Sequence, residues 1–103
     1  MRIKPGVDIR NLTVHGLLIL MVAQQLRPKV RLTSGKDGKH KLGSKHYTGD
    51  AVDLGCKEFD SEENRAFVAN LKSSLGMDFD VLWENVGSAN EHIHVEYDPK
   101  GLK

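Results

Sequence analysis

The sequence has little cysteine, little proline and no marked excess of charge of either sign. Its 103 residues include one cysteine and three prolines. The lone Cys56 excludes an intramolecular disulfide and a thiolate metal cluster. With 15 basic and 14 acidic residues, the formal charge is +1, which gives no electrostatic reason to expect nucleic acid or an anionic membrane as a partner. The longest apolar run, residues 17–23, is shorter than the roughly 20 residues that span a bilayer.

The start of the chain carries two basic residues within its first four but no apolar segment behind them. We therefore expect no signal peptide, and a chain made in the cytoplasm. No internal repeat or linker divides the sequence, and a chain of this length can bury one hydrophobic core. We expect one domain over residues 1–103. The protein is also expected to be a monomer that does not insert into a membrane.

Apolar periodicity predicts a mixture of helices and strands. A largely buried helix is expected over 15–26, with Thr13 as its N-cap, and a second helix from Asp60 or Ser61 to Gly76. The predicted strands are residues 30–33, 51–54, 79–83 and 92–97. Because the helices and strands do not alternate strictly, the pattern indicates an α+β fold with a small, mainly antiparallel sheet and helices packed on it.

The first polar cluster lies where a glycine-rich loop, residues 34–49, meets the strand that follows it. His46 lies on the loop, and Asp53 lies inside the apolar strand between Val52 and Leu54. A carboxylate in that position is costly to bury unless it meets a cation or a metal ion. Asp53 could pair with Lys45 or Lys57, so this cluster alone has a structural explanation.

The second polar cluster is His92-Ile-His94. Side chains alternate along a strand, so both imidazoles point to the same face. Two imidazoles and an aspartate from a neighbouring strand suit Zn²⁺, which in catalytic sites takes three such ligands and leaves one position open. A histidine pair of this spacing also arises by chance, but both clusters together favour a metal site.

Two motifs carry a resemblance to a known family: Ser44-x-His46-x-x-Gly49-x-Ala51-x-Asp53 and Glu91-x-x-His94. They resemble those of the zinc peptidases that cut D-amino-acid-containing peptides of bacterial cell walls. That group includes D-Ala-D-Ala carboxypeptidases and dipeptidases and phage L-alanyl-D-glutamate endopeptidases, and the hedgehog signalling domain shares its fold. The resemblance covers about residues 32–97, and the short chain is most similar to the compact phage-encoded members.

The resemblance implies a role for each matched residue. His46, Asp53 and His94 would be the zinc ligands, Glu91 the general base that deprotonates the zinc-bound water, and His92 a hydrogen-bond donor to the developing oxyanion. The implied function is hydrolysis of peptidoglycan stem peptides by a phage lysis or virion component that acts at the cell wall. On a straight strand Glu91 and His94 would face opposite ways, so Glu91 must lie in the turn before the strand or at a bulge.

The sequence departs from the family pattern in one place. Many members carry an arginine shortly after the Ser-Gly that corresponds to Ser34-Gly35, where it stabilises the tetrahedral intermediate, and this chain has none there. His40, Lys36 or Arg31 could supply positive charge instead. The alternatives are a non-catalytic zinc-binding domain of the same fold and a metal-dependent nuclease, against which the lack of a basic surplus counts.

Overall fold

The computed structural model describes residues 1–10, 12–35 and 45–100, and it confirms the α+β class. Its elements, in chain order, are β1 (Arg2–Ile3), α1 (Val14–Leu26), β2 (Arg31–Ser34), α2 (Lys45–Thr48), β3 (Ala51–Gly55), α3 (Ser61–Leu75), β4 (Phe79–Glu84) and β5 (His92–Tyr97). None of the helices in the described residues has both the length and the apolar character needed to cross a membrane.

The five strands form one sheet in the order β1-β2-β3-β5-β4. β1 runs parallel to β2, whereas the other neighbouring pairs are antiparallel. The sheet is therefore mixed, and the prediction of a mainly antiparallel sheet is corrected. The sequence analysis missed β1 because two exposed residues are too few to show alternation; the strand forms through backbone hydrogen bonds to Val30 and Leu32.

Helix α1 begins where predicted but is far less buried than predicted. The Thr13 hydroxyl accepts a hydrogen bond from the Gly16 amide, which confirms the N-cap. Only three of its residues are buried: Gly16, Ile19 and Ala23. Several large apolar side chains are exposed, namely Val14, Leu17, Leu18 and Met21. The prediction of a largely buried helix is wrong. Helix α1 packs on the apolar face of the sheet from one side only, so it buries one stripe of side chains and exposes the rest.

Helix α3 has the N-terminal and C-terminal signals that the sequence indicates. The Asp60 carboxylate accepts from the Glu63 amide at 2.8 Å, and the Glu63 carboxylate accepts from the Asp60 amide at 3.1 Å. This capping box satisfies two backbone donors that the first helical turn leaves unpaired. The helix ends at Gly76, whose φ of 88° favours glycine.

The two faces of the sheet have opposite character. Its apolar face packs against α1 and α3, and the buried side chains of this core include Ile19, Phe67, Leu71, Leu54 and Val95. Because side chains alternate along each strand, the residues between the buried ones point to the other face. That other face carries Asp53 on β3 and His92, His94 and Glu96 on β5. The fold thus separates the apolar core from the polar cluster that the sequence analysis singled out.

Candidate metal centre

Three ligand atoms from distant parts of the chain converge on the polar face of the sheet. His46 Nε2 lies 3.2 Å from Asp53 Oδ1 and 3.3 Å from His94 Nδ1, and the latter two atoms are 2.9 Å apart. Zinc bonds of about 2.0–2.1 Å at tetrahedral angles place neighbouring ligand atoms about 3.3 Å apart. The arrangement therefore fits three ligands that share one Zn²⁺ ion.

The strand register and one glycine turn bring these residues together. Asp53 and His94 are directly opposite each other in the β3–β5 pairing. His46 lies on the short helix α2, which ends at Thr48, and Gly49 and Asp50 connect it to β3. Gly49 has a φ of 84°, a conformation that favours glycine, and its amide donates to the His46 carbonyl at 3.2 Å. The turn at Gly49 folds α2 back so that the His46 ring meets the side chain of Asp53.

The outer nitrogens of both imidazoles have partners that assign the ring protons. His46 Nδ1 lies 2.7 Å from the Gly35 carbonyl oxygen, and His94 Nε2 lies 2.8 Å from Glu96 Oε1. Both oxygens can only accept while Glu96 is ionised, so Nδ1 of His46 and Nε2 of His94 donate. In the neutral rings the inner nitrogens then present lone pairs, as does Asp53. Three acceptors facing one another require a proton or a cation between them, and such outer partners are typical of metal-binding histidines.

Burial and charge at this cluster also favour a cation. The side chains of His46, Asp53 and His94 are only 2%, 15% and 13% exposed. Burial opposes the protonated form of His94, but hydrogen bonds to Asp53 and Glu96 raise its pKa to about 9. Burial likewise raises the pKa of Asp53, but hydrogen bonds from His46 and His94 outweigh burial and lower that pKa. The carboxylates of Asp53 and Glu96 thus give the cluster a strong preference for positive charge.

The resemblance implies that Glu91 is a general base, in the turn before β5 or at a bulge. It lies immediately before β5, outside the regular strand. It lines a cleft of about 650 Å³ together with Asp53 and His92. The predicted base and one predicted metal ligand therefore border the same open space.

The Glu91 carboxylate is held in place by three donors. Its Oε1 accepts from the Gly87 amide at 3.0 Å, and its Oε2 accepts from Trp83 Nε1 at 2.8 Å and from the Cys56 thiol at 3.3 Å. The hydrogen bonds from Gly87 and Trp83 lower the pKa of Glu91. Burial and the neighbouring Glu91 carboxylate raise the pKa of Cys56 to about 11. Glu91 is thus an ionised, oriented carboxylate beside a thiol that keeps its proton.

His92 adjoins the three-ligand cluster without joining it. Its Nε2 is 3.9 Å from Asp53 Oδ1 but 3.0 Å from Glu84 Oε1, and its Nδ1 lies 2.6 Å from the Asn90 carbonyl oxygen. The ring is therefore oriented by Glu84 and Asn90 at the edge of the cleft. Both ring nitrogens face acceptor oxygens, so the oxyanion contact that the resemblance implies requires Nε2 to exchange Glu84 for the substrate oxygen.

The residues that were predicted to supply positive charge, Arg31, His40 and Lys36, have different outcomes. Arg31 lies on β2 and lines the same cleft as Asp53 and Glu91. His40 and Lys36 lie outside the described residues, as does Ser44 of the first motif. The sequence analysis missed Glu96, although its position two residues after His94 places both side chains on one face of β5. It also missed the Gly35 carbonyl, for which a sequence offers no signal.

No protein-family model matches the sequence, and no curated protein matches it significantly. The chemical interpretation of the site therefore rests on the geometry of its own residues.

Proposed function

We propose that the protein is a zinc-dependent peptidase that hydrolyses peptide bonds in the stem peptides of bacterial peptidoglycan. We further propose that its fold is of the hedgehog and D-Ala-D-Ala peptidase type. The observation that carries the proposal is the convergence of His46, Asp53 and His94 on one point, together with the cleft that Asp53 and Glu91 both line. The motif resemblance supplies the substrate class, and the geometry supports the zinc ligands and the base.

In this proposal each residue of the site has one task. His46, Asp53 and His94 hold the ion. Bound Zn²⁺ would lower the pKa of a water molecule and polarise the scissile carbonyl. Glu91 accepts a proton from the attacking water as its oxygen bonds to the carbonyl carbon, and delivers that proton to the leaving nitrogen as the C–N bond breaks. His92 donates a hydrogen bond to the oxygen that gains negative charge.

The proposed setting follows from the same resemblance. The protein would be a phage lysis or virion component, monomeric, made in the cytoplasm and active at the cell wall. Its partner would be a peptidoglycan peptide, with no nucleic acid and no membrane insertion. Trimming of a terminal residue and internal cleavage are both compatible with an open cleft of about 650 Å³.

One observation favours a second candidate, a non-catalytic zinc-binding domain of the same fold. Both oxygens of the Glu91 carboxylate already accept hydrogen bonds, from Gly87, Trp83 and Cys56. A carboxylate with three donors is a weaker proton acceptor than an unpaired one. In that case the ion would stabilise the fold, and Glu91 would serve only to order the loop before β5.

The decisive experiment is mass spectrometry of purified muropeptides before and after incubation with the protein. Zinc-loaded wild type should remove a defined mass, chelator should abolish this, and added zinc should restore it. Glu91→Gln should bind zinc fully and cleave at least a hundredfold more slowly. Glu58→Gln, which changes another carboxylate of the cleft that is ion-paired to Arg2, is the matched control and should remain active.

Three results would reject the proposal. Hydrolysis that survives chelation would remove the metal from the reaction, and wild-type activity in Glu91→Gln would place the base elsewhere. Zinc binding without any loss of mass would identify the non-catalytic domain. Plasmid DNA incubated under the same conditions should stay intact, since cleavage would indicate a nuclease.

A further inference from the structure

Two basic side chains on the wall of the cleft beside the metal centre have no anionic partner among the residues that the structure describes. Lys4, Arg31 and Lys57 all line it. The Lys57 ammonium donates to the Ala89 carbonyl oxygen. Within residues 1–10, 12–35 and 45–100, the side chains of Lys4 and Arg31 form no hydrogen bond and no ion pair. Because the cleft is open to solvent, both cations are available to a ligand.

Arg31 points to the same side of the sheet as the metal ligands. It is directly opposite Gly55 in the antiparallel β2–β3 pairing, and opposite residues of such a pair share a face. Gly55 is two residues after Asp53, so the two positions also share a face and lie about 7 Å apart along the strand.

The absence of a side chain at Gly55 keeps the space between Arg31 and the metal centre open. A Cβ atom built on Gly55 would lie 3.5 Å from the Arg31 Cβ, in ordinary contact, and 3.2 Å from Thr33 Cγ2. The Arg31 side chain therefore begins next to the Gly55 position, on the face of the sheet that carries Asp53. Asp53 and Arg31 both line the cleft, so one ligand there can reach both residues.

We propose that Arg31, with Lys4 farther out, binds a carboxylate of the substrate within about two residues of the bond that is cleaved. An extended peptide advances about 3.3–3.6 Å per residue, so two residues cover the 7 Å between the positions of Asp53 and Gly55. The planar guanidinium pairs with a carboxylate through two parallel hydrogen bonds, a geometry that lysine lacks. The proposal rests on the proposed function for the identity of the bond, but the anion site itself does not need the reaction.

A carboxylate at this distance can come from two sources, a chain terminus or an acidic side chain. Two pairs of synthetic peptides separate them. D-Ala-D-Ala and its C-terminal amide differ only at the terminus, and the amides of acetyl-L-Ala-D-Glu and acetyl-L-Ala-D-Gln differ only in the side chain. The binding of each peptide to the zinc-loaded Glu91→Gln variant, in which turnover is suppressed, is measured by titration calorimetry.

The acidic member of at least one pair should bind at least tenfold more tightly than its neutral partner, and the pair that shows it identifies the source. Arg31→Gln in the same background should abolish this preference, and Lys4→Gln should reduce it several-fold. Lys29→Gln, which removes an equal charge outside the cleft, should leave it unchanged. Equal affinities within both pairs, or a preference that survives Arg31→Gln, would overturn the proposal.

Two controls keep this test separate from folding and from the peptidase itself. Far-UV circular dichroism and zinc content report whether Arg31→Gln folds. If that variant does not fold, Arg31→Lys is tested instead, because lysine keeps the charge but cannot pair with a carboxylate in the bidentate geometry. A several-fold loss of the preference for the acidic peptide supports the site, and no loss overturns it. An Arg31-dependent preference in a protein that hydrolyses none of the four peptides supports the anion site and counts against the proposed peptidase activity.

Discussion

His94 Nδ1 lies 2.9 Å from Asp53 Oδ1 across two neighbouring strands, at a point where the two residues are exactly paired in the β3–β5 register. The pairing of the two strands therefore places two candidate metal ligands in direct contact. A shift of the register by one residue would turn one of the two side chains into the apolar core. The same hydrophobic alternation that packs the sheet therefore also places two of the candidate metal ligands side by side.

We expect His46→Ala and His94→Ala to lose zinc and, with it, stability. Binding energy at a metal site is also folding energy, and zinc at about 100 times its dissociation constant stabilises a fold by about 2.7 kcal/mol. Elemental analysis and thermal unfolding with and without zinc measure both effects. His92→Ala is the matched control, because it removes an imidazole from the same face of β5 and should keep the ion. Full zinc occupancy in His46→Ala or His94→Ala would remove that residue from the ligand set.

Glu96→Ala should weaken zinc binding about 10- to 100-fold, the usual effect of losing a carboxylate that orients a metal-binding histidine. The reason is that Glu96 accepts the hydrogen bond from His94 Nε2 at 2.8 Å. Competition with a chelator of known affinity measures the change. Glu84→Ala removes the equivalent carboxylate from His92 and should have little effect on zinc. Equal losses in the two variants would show that general electrostatics, and not the orientation of His94, controls affinity.

Trp83→Phe should slow hydrolysis about tenfold while zinc content stays at the wild-type level, because the change keeps an aromatic ring but removes the indole donor that orients the Glu91 carboxylate. The hydrogen bond lowers the pKa of Glu91, so its loss raises that pKa. The acidic limb of the pH–rate profile should therefore move to higher pH. Tyr97→Phe, which removes one polar group from an aromatic residue of β5, should leave the profile in place. An unchanged profile in Trp83→Phe would mean that Glu91 does not control the acidic limb.

The Cys56 thiol should react slowly with iodoacetamide in the folded protein. Its pKa is raised from 9.0 to about 11, so at pH 8 its thiolate fraction is about a hundredfold smaller than in the unfolded chain, and burial slows the reaction further. Mass spectrometry of alkylated protein with and without denaturant gives the ratio. Because the Glu91 carboxylate contributes to the shift, Glu91→Gln should speed the folded-state reaction. Rapid labelling of folded wild type at pH 8 would contradict this placement of the thiol.

Gly16→Ala should destabilise the fold and weaken zinc binding together. A Cβ on Gly16 would meet the carbonyl oxygen of Gly49, the residue that turns the chain from α2 into β3. Overpacking of this kind typically costs about 1–3 kcal/mol, and displacement of Gly49 would move the nearby His46. Chemical denaturation and zinc titration measure the two effects. Gln24→Ala, at an exposed position of the same helix, is the control, and equal behaviour of both variants would exclude close packing as the cause.

Local patterns predicted most of the elements of the fold. The Thr13 cap, the helix cap at Asp60 and the strand alternation in β3 and β5 all depend on residues a few positions apart, and each is present in the structure. The patterns failed where the outcome depends on distant partners. β1 forms only because β2 lies beside it, and the burial of α1 depends on how much of the helix the sheet covers.

The sequence by itself determined which residue types are present and that His92 and His94 share a face, because strand periodicity is a local property. The motif resemblance predicted that His46, Asp53 and His94 act together. Only the tertiary structure shows how they meet: Asp53 pairs with His94, and the Gly49 turn brings His46 to both. Glu96 orients one imidazole, which no motif indicated. The tertiary structure also decided that Arg31 lies on the same cleft. The contacts of His94 with Asp53 and His46 join residues that are separated by 41 and 48 positions in the sequence. They arise from strand pairing and chain closure, and no local pattern encodes them.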